Sequence, residues 1–122
     1  MPESRPQHLI TGEHAEDYAL TYLTQQGLRL ITRNFRCRMG EIDLIMSDDN
    51  SLIFVEVRYR KNAHFGSALE SVDPKKQLRL IRCASYYLTT HQVNQPTRFD
   101  VVALSPGNGQ LEVQWVTDAF QT

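Results

Sequence analysis

Two acids stand where a chain seldom puts them. Asp43 lies within the apolar run Glu41-Ile42-Asp43-Leu44-Ile45-Met46, and Glu56 within Leu52-Ile53-Phe54-Val55-Glu56-Val57-Arg58-Tyr59, a β-branched and aromatic stretch with apolar residues on both faces until it reaches Glu56. A buried carboxylate must be paired, hydrogen-bonded or bound to a cation, because burial disfavours its charge. The turn residues Ser47-Asp48-Asp49-Asn50 separate the two runs. If the runs are antiparallel neighbours, both carboxylates face the same side of a sheet. They then repel each other, and hard oxygen donors of this kind suit Mg²⁺ or Mn²⁺, which keep several waters and activate one of them for attack on phosphate. Arg58, two residues beyond Glu56, projects from the same strand face. It offers an alternative in which Asp43, Arg58 and Glu56 close a buried ion-pair cluster without metal, and spacing alone leaves both readings open.

Other chemistries find little support. His8, His14, His64 and His91 lack metal-ligand spacing, no serine sits in a GxSxG turn, and Gly12, Gly27, Gly40 and Gly66 are isolated and form no phosphate cradle. Asp100, in the apolar strand Arg98–Leu104, is read as structural, bonded to Arg98, Arg79 or the sheet end. Cys37 and Cys83 lie far apart, neither in a CxxC pair, and read as reduced thiols of a cytoplasmic protein.

The elements that must position the two acids follow from periodicity. Ala15, Tyr18, Ala19, Tyr22 and Leu23 recur at helical spacing, with Glu13, Glu16 and Asp17 near the positive end of the dipole and Gly27 at the stop, predicting a helix over about Gly12–Gln26. Three strands in a meander follow, within Leu28–Arg38, Glu41–Met46 and Leu52–Tyr59, with Ile42, Leu44 and Met46 expected on one face and Asp43 and Ile45 on the other. Ser71 or Asp73 caps a second helix that opens on Pro74, runs to about Thr90 and packs through Leu78, Ile81, Ala84, Ser85 and Leu88. Two strands, Arg98–Leu104 and Gln110–Val116, complete the order α-β-β-β-α-β-β, one sheet with helices packed against it.

The chain has 122 residues, 41% apolar and 22% charged, an ordinary composition for one domain that buries roughly two-thirds of its unfolded surface. Residues 1–11 are expected to be a flexible segment and 12–122 a single domain. No window approaches the ~20 apolar residues of a membrane span and the start carries no apolar run, so an unexported, cytoplasmic protein is expected. The net charge of −1 hides an uneven distribution. Arg29, Arg33, Arg36 and Arg38 cluster without an acid, and Arg58, Arg60, Lys61, Lys75, Lys76, Arg79 and Arg82 outweigh Glu70 and Asp73. Such runs form either a solvated face or a surface for phosphates.

An ordered set of motifs goes further than spacing. Gly12-Glu13-His14-Ala15-Glu16, Gly40-Glu41-Ile42-Asp43-Leu44-Ile45, Phe54-Val55-Glu56-Val57-Arg58-Tyr59-Arg60, Phe65-Gly66 and Arg98-Phe99-Asp100-Val101-Val102 together resemble the YraN family of small bacterial proteins. That family is itself similar to archaeal Holliday junction resolvases in the PD-(D/E)xK nuclease superfamily. The resemblance spans about Gly12 to Phe120. It implies a restriction-endonuclease-like, or tRNA-endonuclease-like, α/β core with a mixed central sheet flanked by helices. It also implies a Mg²⁺- or Mn²⁺-dependent endonuclease acting on DNA, branched or structured DNA included. Carried over by position, Asp43 and Glu56 become metal ligands with the Val57 carbonyl as a third, and Glu16, less directly Glu13, the acid of the first helix. The lysine expected two residues after the second acid is Arg58 here, and arginine is no substitute for a compact ammonium that holds the attacking water. Arg58 stabilising transition-state charge, Lys75 or Lys76 supplying the ammonium with Gln77 orienting water, and loss of catalysis are the three ways to read that departure. Arg36, Arg38, Arg60, Lys61, Lys76 and Arg79 are the leading candidates for phosphate contacts. A nuclease-fold protein that binds nucleic acid or a protein partner without turnover is the alternative. Relatives that resolve junctions act as dimers, which directs attention to Phe120 and Trp115 as apolar residues of an interface.

Overall fold

The structure is a computed structural model that describes residues 12–61, 69–107 and 109–122, without the side chains of residues 12, 13 and 69. The segment 1–11, His8, His64, Phe65 and Gly66 lie outside the described residues. Helix α1 (Gly12–Gln25) leads into strands β1 (Arg29–Cys37), β2 (Gly40–Ser47) and β3 (Leu52–Tyr59), a short 3-10 turn (Leu69–Ser71), helix α2 (Pro74–Thr90) and strands β4 (Thr97–Pro106) and β5 (Leu111–Phe120). All five strands form one sheet in the order β1-β2-β3-β4-β5. Neighbours are antiparallel except β3 and β4, which run parallel because α2 carries the chain back between them. The fold is thus mixed α/β with the expected element order.

The helix ends follow local chemistry. At the end of α1, Gly27 takes φ +99°, and the N–H groups of Gly27 and Leu28 close on the carbonyls of Thr24 and Leu23. This left-handed cap favours glycine. At the start of α2, Asp73, rather than Ser71, is the cap, and its carboxylate accepts the Lys76 N–H at 2.8 Å.

Each sheet face buries one helix. Ala15, Ala19 and Leu23 of α1 pack on Leu44, Met46, Ile53, Val55, Val102 and Leu104. On the other face Leu80, Cys83, Ala84 and Tyr87 of α2 pack on Ile42, Ile45, Phe54, Phe99 and Val101. Phe54, Val55 and their neighbours at the sheet centre are essentially solvent-free, each contributing about 1.5–3 kcal/mol. The buried stripe of α2 is the expected one in part: Ala84 is buried and Ile81 and Leu88 pack against the same core. Leu78 and Ser85 face solvent and Leu80, Cys83 and Tyr87 face inward, while Tyr18 of α1 is also exposed. Phe120 and Trp115 do not form an exposed apolar patch: Phe120 is buried and stacks on Phe99, and the half-buried Trp115 donates its indole N–H to Asp100 at 2.9 Å.

One irregularity positions the acids. Ile42 packs in the α2-side core and Leu44 in the α1-side core, although residues two apart in a regular strand share a face. The expectation that Ile42, Leu44 and Met46 point one way therefore fails at Asp43, where the pleat reverses. Strand β1 makes the same reversal. Arg33, paired with Leu44, reaches α1, Phe35, paired with Ile42, packs on Tyr87 of α2, and between them Asn34 adopts φ +52°. Asparagine is among the few residues that enter this region readily.

Candidate functional site

The β2–β3 ladder runs from Ser47–Leu52 to Leu44–Val55 and stops one step short of an Asp43–Glu56 pair. The strands part there. The carboxylate of Asp43 accepts the backbone N–H of Val57 at 2.8 Å, which anchors Asp43 against β3. Glu56 follows the buried alternation of Leu52 and Phe54 and so faces α2, with only 4% of its surface exposed. The antiparallel neighbour relation on which a shared carboxylate site depends is therefore present.

Electrostatics follow from this placement. Burial first, then the negative charge of Glu56, pushes the Asp43 carboxyl up to about 7, against the lowering effect of the Val57 N–H. The nearness of the Glu56 carboxylate thus favours a proton on Asp43. A buried carboxyl crowded by a second carboxylate marks a place where a cation would be welcome. Glu16, half-buried on α1, extends the acidic region. Its carboxyl is raised by burial first and by the charge of Asp43 second, while Arg33 and Asn34 hold it down. Arg33 lies 3.5 Å from Glu16 and 2.8 Å from Asp17.

Cations approach from the other side. The Lys76 ammonium is 3.2 Å from Glu56 Oε2, and the Arg58 guanidinium is 3.7 Å from the same oxygen. Lys76 is the lysine at the acids, whereas Lys75, one residue earlier on the helix, is exposed. Gln77 donates its side-chain amide to the Val72 carbonyl at 2.9 Å, so it braces the entry of α2. Arg36 pairs with Glu41 at 2.9 Å. Arg38, Lys61 and Arg79 are exposed and Arg60 is half-buried. Arg79 lies against Gly40, at the start of β2, which brings the early turns of α2 beside the β1–β2 turn. A surface cavity of about 500 Å³ lies along α1 and is lined by His14, Asp17, Tyr18, Thr21, Tyr22 and Gln25; neither Asp43 nor Glu56 lines it.

Among the described residues no group of three or more His, Cys, Asp or Glu side chains is arranged as a metal cage. The donor set fits a hard divalent ion nonetheless. Mg²⁺ commonly uses one or two carboxylates plus waters, and Asp43, Glu56 and the Val57 carbonyl are the groups that would hold it. Sequence reasoning missed the contact between Cys37 and Cys83, whose sulfurs lie 2.8 Å apart, because only the pairing of β1 with β2 and the packing of α2 bring them together. Asp100 carries the structural role expected of it, accepting two bonds from Arg98, one from Trp115 and one from the Asp118 N–H. No helix among the described residues is long and apolar enough to cross a membrane.

These features define a small mixed α/β domain with a carboxylate pair at the parting ends of two central strands and a lysine supplied by the following helix. The chain belongs to the uncharacterised protein family UPF0102, the YraN family, whose model matches residues 15–104. It is 50% identical over 116 residues to a UPF0102 protein of Nitrosococcus oceani, covering 93% of this chain and 94% of that one. It is also 48% identical to UPF0102 proteins of Methylococcus capsulatus, over 92% of this chain and 91% of the relative, and of Pseudomonas putida strain W619, over 99% of each.

Proposed function

We propose that the protein is a cytoplasmic, metal-dependent endonuclease with a restriction-endonuclease-like core, hydrolysing phosphodiester bonds of DNA, branched or structured DNA included. The observation that carries this reading is the pair Asp43–Glu56, neighbours just beyond the end of the β2–β3 ladder, with the Lys76 ammonium 3.2 Å from Glu56. Bound there, Mg²⁺ or Mn²⁺ supplies an activated water and neutralises charge on the departing oxygen. Asp43 and Glu56 would hold the ion, and Asp43 would have to give up its proton to do so. Lys76 stands in place of the missing motif lysine and is the group that holds and orients water. Arg58 is the group that stabilises transition-state charge. Glu16 keeps the far side of Asp43 acidic. Arg36, Arg38, Arg60, Lys61 and Arg79 contact backbone phosphates, giving affinity without reading bases. A homodimer would cut paired strands of a four-way junction.

The test is a panel of linear, flap, single-stranded and four-way DNA substrates incubated with Mg²⁺ or Mn²⁺. Cleavage that requires the ion and vanishes in both Asp43→Ala and Glu56→Ala is the expected result. Cutting that survives chelation and both substitutions would end the proposal.

A second reading rests on a specific contact. Lys76 and Arg58 already converge on Glu56 Oε2, the arrangement of a closed ion-pair cluster in a module that binds nucleic acid or a protein partner without turnover. Calorimetry separates the two: heat on Mn²⁺ addition that is lost in Asp43→Ala belongs to the enzyme, and a silent titration with salt-sensitive DNA binding belongs to the module.

A further inference from the structure

The two cysteines take no part in the proposed hydrolysis, yet the fold brings them together. Cys37 ends β1, Cys83 lies in the middle of α2, and both are free thiols. Their Sγ atoms are 2.8 Å apart, about 0.8 Å longer than a covalent disulfide bond. Thiols make only weak hydrogen bonds, so a contact this close matters more for what it allows than for the stability it adds. The two groups differ in access. Cys83 is fully buried with the Gly40 carbonyl 3.6 Å from its sulfur, whereas Cys37 is half-buried and within reach of solvent. Burial first, and the neighbouring Cys37 second, push the Cys83 thiol up to about 12. Cys37 is therefore the sulfur that meets a reagent first, and Cys83 the one that answers from behind it.

We propose that Cys37 and Cys83 form a dithiol–disulfide couple that exchanges with low-molecular-weight disulfides of the glutathione type. The Cys37 thiolate attacks one sulfur of the oxidised tripeptide, breaking its S–S bond and releasing one thiolate. Cys83 then attacks the sulfur of Cys37 in the mixed disulfide, its proton passing to the second departing thiolate. Two protein thiols and one small disulfide become one protein disulfide and two small thiols, so two electrons leave the protein sulfurs and reduce the reagent. A dithiol reductant reverses the sequence. The bond would tie the end of β1 to α2, beside Gly40 at the start of the strand that carries Asp43 and on the helix that carries Lys76. It stands independently of any nuclease activity.

The experiment uses the full chain exposed to oxidised glutathione, trapped with an alkylating reagent and read by intact mass and peptide mapping. Expected are loss of two hydrogens, no alkylation, a Cys37–Cys83 linked peptide, and an upward shift in Tm that dithiothreitol removes. In Cys83→Ser the reaction should stop as a glutathione adduct on Cys37. In Cys37→Ser, Cys83 should stay unmodified while the protein is folded. A stable glutathione adduct on the unaltered chain, a disulfide-linked dimer, or two alkylatable thiols surviving a large excess of oxidant would each overturn the proposal, and none of these readouts requires a variant to fold.

Discussion

At the scale of single residues, the proton on Asp43 is the sharpest handle on the site. Its carboxyl is raised from 3.8 to about 7, so the folded state binds a proton more tightly than the unfolded chain. Below about pH 4 the group is protonated in both states and the shift has no effect on stability. Stability falls as pH rises from there, and above about pH 7 the full penalty of the buried charge remains. Asp43→Asn retains an acceptor for the Val57 N–H and removes the charge. In chelated protein at pH 8 it should therefore be more stable than the parent by roughly 1–3 kcal/mol, with the gain gone at pH 4, as urea denaturation at the two pH values would measure. The proton also competes with metal, so Mn²⁺ affinity should climb toward pH 7 and level off above it, a trend that calorimetry follows directly. Arg58 permits a complementary test. Arg58→Lys supplies the compact ammonium of the superfamily pattern beside the Glu56 oxygen that Arg58 now approaches. Cleavage should be maintained or raised, whereas Lys76→Met should cut the rate at least about tenfold, equivalent to ~1.4 kcal/mol in the barrier. Gel assays of initial rate distinguish these outcomes.

At the scale of elements, the site depends on where β2 and α2 are held relative to one another. The Asp73 cap fixes the first turn of α2, which carries Lys76. Asp73→Ala should lower stability by about 1 kcal/mol, seen as a reduced urea midpoint. Closing the cysteines would act on the same junction. A loop closed between Cys37 and Cys83, 46 positions apart in sequence, gives a stabilisation of about 4 kcal/mol in the chain-entropy account. What was legible in the sequence divides along physical lines. The Asp73–Pro74 entry and the apolar run through Leu52–Val55 are local signals, and α2 and β3 begin and end essentially where those signals put them. The reversal at Asp43 was not legible, since alternation presumes an unbroken pleat and the break is shared with Asn34, a residue of another strand. Lys76 could not be separated from Lys75 by spacing, because the orientation of α2 is set by Leu80, Cys83 and Tyr87 packing on the sheet. The Cys37–Cys83 contact is likewise a product of tertiary packing with no counterpart in local pattern.

At the scale of the molecule, the sheet keeps two acidic centres apart by putting them on opposite faces. Glu56 faces α2 with its cations, whereas Asp100, adjacent in the β3–β4 register, faces α1 and is wholly buried. Asp100 accepts the Arg98 guanidinium at 3.0 and 3.1 Å, the Trp115 indole at 2.9 Å and the Asp118 N–H at 3.0 Å, and Arg98 extends to Asp48 beside the β2–β3 turn. Four donors converge on one carboxylate that joins β4 to β5 where their register shifts. Asp100→Ala would strand a partly buried guanidinium and an indole N–H, an imbalance that typically lowers stability by about 3–5 kcal/mol. Glu56 is the converse case, because removing it takes away a metal ligand and leaves Lys76 and Arg58 partly exposed, where water can solvate them. Thermal melts and Mn²⁺ calorimetry on the two variants should therefore cross. Asp100→Ala should melt well below the parent and still bind Mn²⁺ at a temperature where it is folded. Glu56→Gln should melt near the parent and bind no Mn²⁺. If Asp100→Ala, confirmed folded by circular dichroism, also lost the ion, metal binding would depend on the Asp100 cluster, and its assignment to Asp43 and Glu56 would fall.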